Sequence, residues 1–292
     1  MKLNLFKTVF TLSLTCVNCC LFSNQTSTTD VHSYTEFCER AAKDPSIFTY
    51  FRRNPIYVGV VESVSDLQGK QCLDFITKKT PKLLNYFDKF KTSDAIGNPV
   101  TYSYQGIGSI SPTTLRYIKI AAELQLLFGS LDGCSIIEIG GGYGGQCKII
   151  SDLFQFKHYT IVDLSGPILL TEKYLSSQGV QNVSFITPNM DIQNNEFDIV
   201  ISNYAFSECT YEMQKQYVEN IISKSKKGYL TCNILVDSHD GNSAILQRAE
   251  GFFATKGKIQ EELTNANISW KECPEIPNTA KTNYLLIWGT MP

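Results

Sequence analysis

Five glycines fall within the six residues that close Glu138-Ile139-Gly140-Gly141-Gly142-Tyr143-Gly144-Gly145. Two chemical readings fit so dense a run. Gly140, Gly142 and Gly145 spell G-x-G-x-x-G, which in a strand-to-helix turn receives the pyrophosphate of a dinucleotide such as NAD(P). Glu138, Gly140, Gly142 and Gly144 spell acid-x-G-x-G-x-G, the arrangement of S-adenosylmethionine sites. Glycine serves both, because the backbone must turn tightly and come close to a ligand. The acid separates them in part. A carboxylate two residues ahead of the first glycine suits the cationic methionyl end of S-adenosylmethionine and sits poorly beside a pyrophosphate.

Asp163 closes a second apolar run, 21 residues after Gly142. An acid at that place accepts hydrogen bonds from ribose hydroxyls in either cofactor class. It also serves as a helix-start carboxylate beside Ser165. Asn189 and Met190, after a third apolar run, are positioned to flank an adenine, and Asn203, closing a fourth, joins the cofactor set. From it the chain opens into Tyr204-Ala205-Phe206-Ser207-Glu208. This stretch lacks the paired prolines with which amino-methylating DNA enzymes hold an exocyclic amine, so methylation of a base is disfavoured.

Methyl transfer to a hydroxyl needs a proton acceptor, since an alcohol is a weak nucleophile until its proton is leaving. The chain has three histidines. His32 falls in a polar linker and His158 opens a strand. His239, in Asp237-Ser238-His239-Asp240, follows a fifth apolar run with carboxylates that can orient its ring. It is the candidate base, and Glu208 is the second. Asp237, Asp240 and Glu208 offer the oxygen ligands that Mg²⁺ prefers, but their spacing assigns no metal site.

These residues need a scaffold that delivers them to one edge. Residues 135–139, 159–164, 183–187, 197–203 and 229–236 read as strands. Helices are expected between them, from Gly144 to Phe154, from Ser165 to Ser177, and on a face bearing Met213, Tyr217, Ile221 and Ile222. Lys224, Lys226 and Lys227 then crowd the end of that last helix, with Gly228 as its stop. Strand and helix in alternation specify a parallel sheet covered on both faces. Residues 268–273 and 282–289 follow without a helix between them and read as an antiparallel pair. Upstream, Ser111-Pro112 begins a helix whose buried stripe is Leu115, Ile118, Ala122, Leu126 and Leu127, stopped at Gly129. Residues 94–112 read as a long loop, and residues 34–94 as mainly helical with breaks at Asp44-Pro45, Asn54-Pro55 and Thr80-Pro81.

The divisions that follow are an apolar segment 1–23, a linker 24–34, a helical accessory region and loop 35–112, and a cofactor-binding domain 113–292. Lys2 and Lys7 precede an apolar run from Val9 to Phe22 with the outline of a signal or anchor, interrupted by Asn18 and without a small-x-small cleavage site. It is shorter than the roughly 20 residues of a spanning helix. The implied cofactor favours the cytoplasm, while this segment argues for membrane association or export. A net charge of −2, with no dense run of Lys or Arg, argues against gripping a nucleic-acid backbone. The ten cysteines show no paired CxxC framework, and Cys134, Cys147 and Cys232 fall beside apolar runs, so they read as reduced core residues.

SPTTLRYIKIAAEL, IIEIGGGYGGQCKIISDL, YTIVDL, ISNYAFSE and KKGYLTCNIL together resemble the bacterial sugar O-methyltransferases, and the likeness runs from about Phe48 to the end of the chain. The resemblance implies a Rossmann-like class I methyltransferase fold, with a mostly parallel seven-stranded sheet and a C-terminal antiparallel hairpin. It implies S-adenosylmethionine as cofactor and a small-molecule acceptor, a sugar, nucleotide sugar or glycoside. Tyr102, Tyr104, Tyr143 and Tyr204 are then candidate stacking platforms for a sugar ring. The competing readings are an NAD(P)-dependent oxidoreductase and a non-catalytic S-adenosylmethionine-binding protein.

Overall fold

The computed structural model describes residues 32–188, 196–233, 254–277 and 283–291. The chain enters through α1 (His32–Lys43), α2 (Pro45–Phe48), α3 (Pro55–Val60), α4 (Asp66–Lys79) and α5 (Phe87–Phe90), linked by short 3-10 turns. The Asp-Pro and Asn-Pro breaks are helix starts. Asp44 and Asn54 each accept a backbone N–H two residues on, while the proline fills the first helical position, where its missing N–H costs nothing. Ser65 and Gln68 form a reciprocal capping box at the head of α4. The stretch expected to be a loop holds a small antiparallel hairpin, β1 (Tyr102–Tyr104) and β2 (Gly108–Ile110). Alternation over three residues is too short a signal to separate a strand from loop.

Helix α6 (Pro112–Phe128) begins at the Ser111 cap and stops at Gly129, as expected. Its burial is broader than one stripe, because it is covered on nearly every side. Leu126 is the exception and points to solvent. Then the alternation begins: β3 (Ser135–Ile139), α7 (Gly145–Leu153), β4 (His158–Val162), α8 (Ser165–Ser177), β5 (Val183–Ile186), β6 (Phe197–Asn203), α9 (Ala205–Glu208), α10 (Tyr211–Asn220) and β7 (Ser225–Cys232). Helix α11 (Lys256–Asn265), β8 (Lys271–Pro274) and β9 (Tyr284–Trp288) complete the described chain.

The fifth strand of the alternation differs from expectation at its start. Lys226, Lys227 and Gly228 lie inside β7, not at a helix end. Gly228 is needed there because the indole of Trp288 on the paired β9 occupies its Cβ position, 2.0 Å away. A glycine that makes room for an aromatic across a sheet is indistinguishable in sequence from a helix stop.

The seven strands run in the order β5-β4-β3-β6-β7-β9-β8, parallel except for β9, which is antiparallel to both neighbours. Successive residues face opposite sides, so Ile136, Ile199 and Ile201 enter one core and Ile137, Val200 and Leu230 the other. The first core also takes in α6, α7, α8 and the accessory helices. The second is closed by Phe206, Met213, Tyr217, Ile259 and Leu263 from α9, α10 and α11. Arg52, fully buried, ties the accessory region to the sheet. Its guanidinium meets Glu62 at 2.5 Å and Asp94 at 2.8 Å, donates to Ser111 Oγ at 3.0 Å, and lies 4.7 Å over the Tyr143 ring.

Cys38, Cys72, Cys147, Cys209 and Cys232 are buried free thiols, and Cys134 and Cys273 are half-buried ones. Among the described residues no helix is long and apolar enough to cross a membrane. The apolar run ending at Phe22 lies outside them.

Candidate active site

The strand order reverses at β3: the chain fills β3, β4 and β5 outward, then returns to place β6 and β7 on the other side. Crossover helices leave such a point in opposite directions and open a crevice at the carboxyl ends of the strands. A cavity of about 520 Å³ lies at that edge, in the size range of small-molecule and cofactor pockets. Glu138 on β3 and Gly140–Gly142 after it, Asp163 after β4, Asn203 at the end of β6 and Tyr204 after it, Glu208 on α9 and Asn233 after β7 all reach its wall.

The glycine turn is shaped by its neighbours. Gly140 has φ +81°, and a Cβ there would stand 2.0 Å from that of Ala205. Gly142 has φ +59°, a Cβ there would meet only Val61 at an ordinary 3.6 Å, and its N–H donates to Asp163 Oδ2 at 3.0 Å. Gly144 differs from expectation. It is left-handed and heads α7, but it packs on Leu175 and not on the cavity, where Gly141 lies instead. Tyr143 is fully buried against Phe51, Tyr57, Tyr117 and Tyr174, bracing the turn from behind. Tyr143 and Tyr104 are therefore core residues, and Tyr102 is exposed away from the cavity. Of the expected platforms only Tyr204 lines it.

Two carboxyls share the inner wall. Asp163 accepts the N–H groups of Gly142 and, at 2.8 Å, Leu164. Burial pushes its pKa up to about 6 against these donors. Glu138 is 1% exposed and accepts the Tyr159 hydroxyl at 2.8 Å. Burial, with the negative charge of Asp163 adding to it, pushes Glu138 up to about 8 although the Tyr159 bond opposes the shift. At neutral pH the wall thus holds one ionised and one mostly protonated carboxyl. A cation bound between them would draw both toward the ionised form.

Asn203 ends β6 with both amide atoms buried and without a hydrogen-bond partner. Such a group costs about 1–3 kcal/mol unless something supplies the bonds. Tyr204 follows with φ +72° and ψ −36°, an uncommon conformation for a residue with a side chain, and its hydroxyl donates to Glu275. Glu208 accepts Asn233 Nδ2 at 2.7 Å. Met190, Asn189 and His239, together with Asp237 and Asp240, lie outside the described residues. No group of three or more His, Cys, Asp or Glu able to hold a metal ion occurs among the described residues.

Several cavity residues, Arg116 among them, were not singled out from the sequence. Arg116 reaches the cavity from the second turn of α6, lying 5.9 Å from the Tyr204 ring and 5.5 Å from that of Tyr117. The signal was available, since Arg116 interrupts a helix that is otherwise buried nearly all round.

A parallel sheet ending with β9 inserted antiparallel between β7 and β8 is not the order of a dinucleotide-binding domain. The sheet order is that of the Rossmann-like class I methyltransferase fold. No protein-family model matches the sequence. Arsenite methyltransferases of Homo sapiens and Rattus norvegicus are 27% and 25% identical to it over 161 residues. Each match covers 50% of this chain and 37% or 38% of the relative, so the chain spans well under half the length of these curated relatives. Among solved structures, an O-methyltransferase family protein from Burkholderia thailandensis is similar at 13% identity and a TM-score of 0.46, covering 61% of this chain and 56% of that one. A candidate sarcosine dimethylglycine methyltransferase from Galdieria sulphuraria is similar at 14% identity and a TM-score of 0.48, covering 65% and 76%.

Proposed function

We propose that this chain is an S-adenosylmethionine-dependent methyltransferase acting on a hydroxyl of a small molecule, with a sugar or glycoside as the narrower reading of the acceptor. The observation that carries it is the convergence of the Gly140–Gly142 turn, Glu138, Asp163 and the unpartnered Asn203 on one cavity at the reversal point of the sheet. When bound, the cofactor supplies an electrophilic methyl group on a sulfonium.

The residues present fit that group. Asp163, already held by two backbone N–H bonds, keeps lone pairs for a diol. Gly140 and Gly142 let the backbone approach without side chains, and Asn203 has both a donor and an acceptor to offer. Glu138 is poised to meet an ammonium. On the acceptor side, Glu208 is the described carboxylate able to take a hydroxyl proton, and Asn233 holds it in place. His239 stays the first candidate base from its sequence position. Neither NAD(P) nor a non-catalytic role is favoured.

Calorimetric titration of the full chain with S-adenosylhomocysteine and with NAD separates the cofactor readings, and the former is expected to bind. Methyl release from labelled cofactor is then measured over a panel of monosaccharides, glycosides and nucleotide sugars. Binding of NAD in place of S-adenosylhomocysteine would defeat the proposal, and binding with no turnover on any hydroxylated acceptor would defeat its catalytic part. His239→Ala and Glu208→Gln are each expected to retain cofactor binding, and the variant that removes the base is the one that loses turnover.

A further inference from the structure

The cations buried elsewhere in the described structure each meet a carboxylate: Arg52 with Glu62 and Asp94, Lys119 with Glu123 at 2.8 Å, Lys148 with Asp152 at 2.6 Å. That is the ordinary rule, since a charge out of water is costly unless paired. Arg116 breaks it. Among the described residues no carboxylate lies within the 4.0 Å of an ion pair with its guanidinium, and its Nε is buried without a hydrogen-bond partner. Two aromatic rings flank it instead, and it opens onto the cavity.

We infer that Arg116 anchors an anionic group of the acceptor, a carboxylate or a phosphate, so that the substrate is a hydroxylated anion and not a neutral sugar. This rests on the methyltransferase reading above. Place in the sheet separates it from a cofactor contact. The cavity wall runs from Asp163 at β4 through the glycine turn at β3 to Asn203 and Tyr204 at β6 and Asn233 at β7, with strands about 4.8 Å apart. Arg116 stands at the β6–β7 end. It also lines a narrow extension formed by Tyr229 and Thr231 of β7 with Glu275, Ile276 and Pro277, beyond the turn and the inner carboxyls.

The acids at this end are already engaged. Glu275 accepts the Tyr204 hydroxyl and, at 3.0 Å, Asn283 Nδ2, and Glu208 accepts Asn233. A planar guanidinium fork near two aromatic rings matches the two oxygens of a carboxylate or phosphate and does not lose its proton. It would fix one end of the acceptor while a hydroxyl elsewhere on it faces the methyl donor.

The test titrates wild type, Arg116→Met and Arg116→Lys with four probes. These are S-adenosylhomocysteine, 5′-methylthioadenosine (which lacks the amino-acid carboxylate), inorganic phosphate and acetate, the two anions being added to free and to S-adenosylhomocysteine-loaded protein. In Arg116→Met both nucleosides should bind as in wild type, and anion binding should weaken about tenfold or more. Arg116→Lys keeps the charge without the fork, so it should retain part of the anion affinity; it carries the comparison if the methionine variant does not fold. The preferred anion distinguishes carboxylate from phosphate. Anions that bind wild type no better than Arg116→Met overturn the inference. So does a variant that loses S-adenosylhomocysteine but keeps 5′-methylthioadenosine, which would assign the arginine to the cofactor's own carboxylate. If wild type binds no S-adenosylhomocysteine the methyltransferase reading fails, while anion binding to the free protein still decides the role of Arg116.

Discussion

Gly140→Ala tests whether the turn is built by steric fit. The new Cβ would stand 2.0 Å from Ala205 Cβ, where ordinary contact begins at 3.4 Å, so the two backbones must part by up to 1.4 Å. A shift of that size breaks the 2.8 Å bond from Gly140 N to Val162 O and drags Gly142 N from Asp163. The left-handed backbone adds roughly 1–2 kcal/mol for a residue with a side chain, and overpacking adds about 1–3 kcal/mol. The total of about 2–5 kcal/mol corresponds to a fall in Tm of roughly 3–8 °C for a chain of this size. Gly142→Ala meets Val61 at an ordinary 3.6 Å, so only the backbone cost applies and it should be the milder change for folding. Ala205→Gly removes the colliding methyl, and Gly140→Ala/Ala205→Gly should recover the packing part and leave the backbone part. The assays are thermal denaturation followed by circular dichroism and calorimetry with S-adenosylhomocysteine. Equal destabilisation by the two alanines, or no rescue by Ala205→Gly, would refute the reasoning.

Burial raises Glu138 from the ordinary 4.5 to about 8 in the folded chain. A raised acid holds its proton longer when folded, so stability is greatest below the unfolded value and falls as pH rises from about 4.5 to about 8. Glu138→Gln keeps an acceptor for Tyr159 and should flatten that fall by a few kcal/mol over the same window, measured by urea unfolding at several pH values; parallel curves would contradict the assignment. Arg52→Met strands Glu62 and Asp94, both nearly buried, and should cost about 3–5 kcal/mol in the same unfolding assay. A loss below about 1 kcal/mol would show that water reaches these carboxylates.

Much of the scaffold was legible because it rests on local periodicity. The spans of α8 and β6 and the Ser111 start of α6 follow from alternation, capping and glycine stops that neighbouring residues decide among themselves. The glycine turn was legible for the same reason. Errors fell where distant residues decide. Gly228 reads as a helix stop until Trp288 is laid across it, and Tyr143 reads as a sugar platform until Phe51, Tyr57 and Tyr174 enclose it. Gly144 fits the cofactor pattern by spacing, yet Leu175 occupies the side it faces.

Sequence alone determined the alternation of strands and helices from residue 112 to residue 232 and the glycine–acid pattern of the turn, since periodicity and backbone freedom are properties of adjacent residues; the hairpin at 102–110 and the helix Lys256–Asn265 were not read from it. Tertiary structure decided which side chains share the cavity. Asn203 joins the cofactor set already from its place at a strand end, whereas Arg116 is an ordinary polar residue in the sequence; only burial shows that the Asn203 amide and the Arg116 Nε are left without hydrogen-bond partners among the described residues.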